Sequence, residues 1–169
     1  RFGPGWSSAV YGILCSALIV ITFIDLDFQI IPDRITLPGI PLGLIAGSFI
    51  LPDPFLRATD LGYKASLVGA VSGFSLFYLV AFLSIKILKK EGMGGGDIKL
   101  MAMLGAFLGW KAVILTTFLG SLSGSVIGIG LMAFRGREKG SLIPFGPFLA
   151  LGALLSLFFG QEILIWYLY

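Results

Sequence analysis

The sequence contains no histidine, a single cysteine (Cys15), and charged residues at only 12% of its 169 positions. Each shortage excludes something. Without histidine there is no Ser-His or Cys-His nucleophilic pair and no imidazole metal site. One cysteine in an apolar stretch makes neither a disulfide framework nor a thiolate metal cluster, and reads as a core residue. Acid–base chemistry therefore falls to carboxylates, lysine or tyrosine, and no metal is expected. Soluble domains carry about 25% charged residues. Here twelve basic and nine acidic side chains must serve a chain that is 57% apolar, with a mean hydropathy of +0.99. Its solvent is lipid. The net charge of +3 could suggest nucleic acid, but short basic loops are what membrane topology requires, and no nucleic-acid partner is expected. The chain opens on Arg1-Phe2-Gly3-Pro4-Gly5 with no initiator Met or signal peptide, and reads as a piece of something longer.

What is present is a succession of apolar runs. A bilayer core about 30 Å thick needs about 20 apolar residues in a helix. Segments of this kind fall near residues 6–24, 35–51, 65–88, 98–109, 112–134 and 142–159, the fourth being short and the last continuing into Trp166, Tyr167 and Tyr169. The expected fold is all-α, a polytopic membrane bundle of about six transmembrane helices forming a single domain over 1–169. Glycines recur at four-residue spacing, as in Gly105 and Gly109 and again in Gly120, Gly124 and Gly128. In lipid such faces let helices approach closely, so these glycines are expected to pack and not to cradle phosphate.

Six crossings place alternate loops on opposite sides. One side receives Arg34, Lys86, Lys89, Lys90, Lys99, Arg135, Arg137 and Lys139, and the other only Arg1, Arg57, Lys64 and Lys111. The richer side is expected to be cytoplasmic, with residue 1 outside. Asp25 and Asp97 then share the cytoplasmic face.

A carboxylate in hydrocarbon costs about 2.5–3.5 kcal/mol on insertion scales, so the acids sort by location. Asp53, Asp60, Glu91, Glu138 and Glu162 fall in loops or near an interface and are expected to be solvated. Asp25 is different, because it ends an unbroken apolar run before any loop signal. Asp27 lies about 200° around a helix from it, so only one of the two faces the bundle, and Asp27 reads as a surface charge. Pro32 disfavours helix at Ile31, and Asp33 reads as a turn residue. The second acidic site is Glu91-Gly92-Met93-Gly94-Gly95-Gly96-Asp97-Ile98-Lys99. A glycine run is a poor helix and suggests a close backbone approach around Asp97; the alternative is an ordinary loop with Asp97 as an N-cap. Lys99 reads as an interfacial lysine reaching for water, or as a group that orients substrate or biases the acids.

Two carboxyl groups held together do not both ionise easily and share a proton. One then takes a proton from water attacking a peptide carbonyl, while the other supports the carbonyl oxygen and later the leaving amine. That chemistry needs no histidine, metal or cysteine.

Three blocks resemble the prepilin peptidases, membrane aspartyl proteases of the GxGD type: Asp25 to Asp33 with Thr36 and Pro38, then Gly94-Gly95-Gly96-Asp97-Ile98-Lys99, then residues 143–152 beginning Ile-Pro-Phe-Gly-Pro-Phe. The resemblance spans nearly the whole chain. It implies catalytic roles for Asp25 and Asp97. It also implies cleavage of the basic leader of type IV prepilins and type II secretion pseudopilins, at the cytoplasmic face of a bacterial inner membrane. The 143–152 block is expected to wall the site. Longer members carry an N-terminal region, often with zinc-binding cysteines, and methylate the product with S-adenosylmethionine. Nothing like that region is present in this sequence, so methylation is not expected of this chain by itself; no cofactor is expected for proteolysis, and S-adenosylmethionine enters only if a full-length protein methylates. The partners implied are prepilin-like precursors and the lipid bilayer. Two rival readings are a proton- or cation-coupled transporter with an acidic relay and a non-catalytic assembly subunit.

Overall fold

The computed structural model describes residues 5–56, 59–89, 93–135 and 144–168. These form five α-helices: α1 (Trp6–Phe28), α2 (Asp33–Phe49), α3 (Gly62–Leu83, continuing as a π-helical turn over Ser84–Leu88), α4 (Gly95–Arg135) and α5 (Gly146–Leu168). Four of them, rather than about six, are long and apolar enough to cross a membrane. The difference has two sources. The second expected span is the 17-residue α2, which carries Pro38 and Pro41 within it. The fourth and fifth expected spans are both parts of α4.

Helix α4 breaks at Gly109, whose φ of 81° and ψ of 174° are not helical. Glycine alone occupies that region readily. Before the break, α4 runs antiparallel to α3: Met101 lies against Gly73, Gly105 against Gly69 and Gly109 against Ala65. After it, Gly120 and Gly124 lie against Phe148 and Thr116 lies against Gly152, so that limb runs antiparallel to α5. The chain therefore doubles back at Gly109. Replacing Gly109 with Ala is expected to lower stability by about 1–3 kcal/mol, measured as thermal unfolding of the detergent-purified protein; an unchanged midpoint would show that the turn tolerates a side chain.

Small residues hold the bundle together. A Cβ on Gly105 would collide with the Gly69 backbone, and one on Gly47 would lie 2.7 Å from the Ala106 carbonyl oxygen. The buried Ser66 hydroxyl donates to the same carbonyl at 2.6 Å. The expected packing role of the glycines holds for Gly105, Gly120 and Gly124, whereas Gly109 makes a turn. Helix α1 is joined chiefly to α5. Its buried residues are Tyr11, Leu14, Leu18, Ile21 and Asp25, one stripe at alternating spacings of three and four. Cys15, expected in the core, is half-buried beside it.

The end of the bundle away from Asp25 is closed by residues 50–56 and 59–61. Their backbone pairs with itself, Leu61 N–H to Leu51 O at 2.9 Å and Asp53 N–H to Thr59 O at 2.9 Å, and Tyr11 Oη donates to Pro52 O at 2.8 Å. Asp53, expected in solvent, is buried here. It accepts from Phe55 N–H at 2.8 Å and pairs with Lys111 Nζ at 3.0 Å. The loop folds inward because Leu51, Phe55 and Leu61 are apolar and buried, and their anchoring carries Asp53 with them. Asp60 and Glu162 are exposed, as expected. Glu91 and Glu138, together with Arg1, Arg57, Lys90, Arg137, Lys139 and Tyr169, lie outside the described residues.

Candidate active site

Asp25 occupies the last inward position of the α1 stripe and is 5% exposed. Helix α1 ends directly beyond it. Gln29 takes the left-handed conformation at φ 54°, and its N–H donates to Asp25 O at 2.9 Å. Asp27 points outward and is exposed, as the helical period requires.

The Asp25 carboxylate meets the start of α5. Gly146 N–H donates to Asp25 Oδ2 at 2.9 Å. Gly146 is the first residue of α5, so this N–H has no partner inside its own helix, and the carboxylate faces the positive end of the helix dipole. A Cβ at position 146 would sit 2.5 Å from Asp25 Oδ2 and 3.1 Å from its Cγ, so only glycine permits this approach. Pro147 follows without cost, because first-turn N–H groups are unpaired in any case. Phe145 packs against Phe77 of α3 with ring centroids 6.5 Å apart, and this fixes the start of α5. The 143–152 block, expected to wall the site, supplies this backbone donor and its aromatic anchor, and none of its described residues lines the cavity beside the two acids; Ile143 lies outside the described residues.

Asp97 lies in the first turn of α4, also at a helix N-terminus, and is 8% exposed. It is not the N-cap. It is the third helical residue, and its carboxylate reaches back to the Gly94 N–H, as an acidic side chain at that position commonly does. The glycine run is partly helical after all, since α4 begins at Gly95. First-turn positions forfeit little, and packing supplies the rest. The expected close approach is present at Gly96, where a Cβ would lie 2.7 Å from Ile31 Cβ. Gly92 lies outside the described residues.

Asp25 and Asp97 line one cavity of about 500 Å³, together with Gln29, Asp33, Gly94 and Lys99. They are near enough to interact electrostatically. Asp33 is not a free turn residue but opens α2, and Lys99 does not simply reach for water; the two pair at 2.7 Å. Among the described residues no three acidic or sulfur side chains are grouped to hold a metal ion.

Residues 12–129 match the type IV leader peptidase family. The chain belongs to that family. Among relatives, it is 39% identical over 165 residues to a prepilin leader peptidase/N-methyltransferase of Aeromonas hydrophila, covering 98% of this chain and 54% of that protein. A protein of the same name from Pseudomonas aeruginosa is 40% identical over 163 residues, covering 96% and 53%. The chain spans about half the length of the curated relatives it matches. No solved structure matches it. Within this chain, the segment matched to the family contains Asp25 and Asp97, while the Gly146 donor lies beyond its end. Sequence reasoning found both acids and missed the donor. The signal was there in a glycine between two prolines at a helix start, but nothing local tied it to Asp25.

Proposed function

We propose that this chain is a membrane aspartyl endopeptidase that removes the leader of type IV prepilins or type II secretion pseudopilins, with Asp25 and Asp97 as its catalytic pair. The observation that carries the reading is that two acids on different helices, Asp25 facing the N-terminus of α5 and Asp97 in the first turn of α4, line one water-accessible cavity. One carboxylate takes a proton from water as the water oxygen bonds to the scissile carbonyl carbon. The other, as the acid, donates to the developing oxyanion. When the tetrahedral intermediate collapses, the carbon–nitrogen bond breaks and the proton passes to the leaving amine. The Gly146 N–H holds one oxygen of Asp25, so that side chain needs no reorganisation during the step.

The orientation follows from charge. Arg34, Lys86, Lys89 and Lys99 belong to the end of the bundle that carries the dyad, and Lys64 and Lys111 to the other. The basic end faces the cytoplasm of a bacterial inner membrane. Doubling back at Gly109 supports counting six passages through the bundle, with α2 as a short one. N-methylation is not assigned to this chain. The test is co-expression in membranes with a prepilin-type precursor. We expect a product shortened by its leader, read by mass spectrometry, and an uncut precursor would reject the assignment. The transporter reading gains no specific support from the site.

A further inference from the structure

The cavity holding the acidic pair also holds a cation that is a hazard to it. Among the described residues Lys99 is the one cationic side chain in its lining, which it shares with Asp25, Asp33 and Asp97. Helix α1 supplies Asp25, α2 supplies Asp33, and α4 supplies Asp97 and Lys99; α3 and α5 add no ionisable side chain to the lining. Lys99 stands two residues beyond Asp97 on the same helix, about 200° around it, and only its long side chain brings it to the same cavity lining. A proton-sharing pair needs one of its carboxyls neutral, and a cation within about 4–6 Å favours ionisation of both by about 1–3 pK units. Lys99 does not face them with a free charge, because its Nζ lies 2.7 Å from Asp33 Oδ2.

That pair is a weak staple for the fold. The Lys99 side chain is 34% exposed and that of Asp33 54%, and exposed ion pairs contribute little to stability. Its position is well defined all the same. The segment that leaves α1 and delivers Asp33 is pinned to the start of α4 by the buried Ile31, which packs against Gly96. Asp33 is therefore held beside Lys99 by the same strap that joins the two catalytic elements.

We propose that Asp33 is a positioning residue that parks the Lys99 ammonium at the rim of the cavity, so that the Asp25/Asp97 pair keeps its shared proton. This rests on the reading of those two acids as the dyad. A simple ion-pair staple would lose the same amount whichever partner is removed. Parking is asymmetric: removing Asp33 frees a cation that favours loss of the shared proton, whereas removing Lys99 leaves the Asp33 carboxylate, an anion that favours keeping it.

The experiment measures leader cleavage by the intact membrane protein carrying Asp33→Asn, Lys99→Met, both together, or Asp33→Glu, at matched membrane levels. D33N is expected to lose about tenfold or more at neutral pH and to recover part of that loss in a more acidic assay. K99M, the double variant and D33E are expected to stay within about fivefold of the parent. Three results would each overturn the proposal: D33N as active as the parent, K99M as poor as D33N, or a double variant no better than D33N. Loss of folding in D33N is read separately from its thermal midpoint, and the double variant carries the same Asn, so its recovery cannot come from restored structure at position 33. Failure here with D25N and D97N still dead leaves the dyad standing; active D25N or D97N removes the dyad itself.

Discussion

Asp25→Asn and Asp97→Asn are each expected to reduce leader cleavage by about a hundredfold to ten-thousandfold, the range that a positioned acid or base contributes. Asparagine keeps the shape of the side chain and its capacity to accept from Gly146 N–H or Gly94 N–H, but it can neither take a proton from water nor return one to an amine. The loss should therefore fall on kcat while precursor binding and membrane level are preserved. The two losses should not add in the double variant, because either substitution already breaks the shared-proton unit. The measurement is the fraction of precursor cut over time in membranes containing equal enzyme. Parent-level cleavage by either single variant would remove that residue from the mechanism. Cleavage retained by both would point to the assembly-subunit reading.

Gly146→Ala should cost about a hundredfold in kcat, the loss typical of a reacting group displaced by about 1 Å. The added methyl would stand 2.5 Å from Asp25 Oδ2, 3.1 Å from Cγ and 3.4 Å from Cβ, so it is the Asp25 side chain that must move. The backbone N–H survives the substitution, but the carboxylate cannot keep its place over it. Gly12→Ala on the exposed side of α1, where a Cβ meets nothing within 4 Å, is the control and should be silent. Comparable loss in both variants would mean that α1 tolerates no change, and would strip Gly146 of its special position.

Much of this was legible in one dimension. The near-absence of charge forced lipid as the solvent. The alternation of three and four through Tyr11, Leu14, Leu18 and Ile21 lands on Asp25, and the helical period sends Asp27 away from it. The glycine run before Asp97 announced a close approach, which Gly96 makes against Ile31. Other features did not follow from local pattern. Asp53 looks like a loop acid because its neighbours are Pro52 and Pro54, yet the burial of Leu51 and Phe55 draws it inside to Lys111. The Gly109 turn lies within one long apolar stretch, where hydropathy counts residues and not directions.

By itself the sequence determined the solvent, the helical character and the two acids on which chemistry could rest, since each depends on composition or on a period of a few residues. Only the tertiary structure decided what those acids meet: the Gly146 N–H on Asp25, the Asp33 partner of Lys99, and the single cavity that Asp25 and Asp97 share. The physical reason is that each of these contacts joins backbones distant along the chain. Such meetings are set by where whole helices pack, and no window of neighbouring residues encodes them.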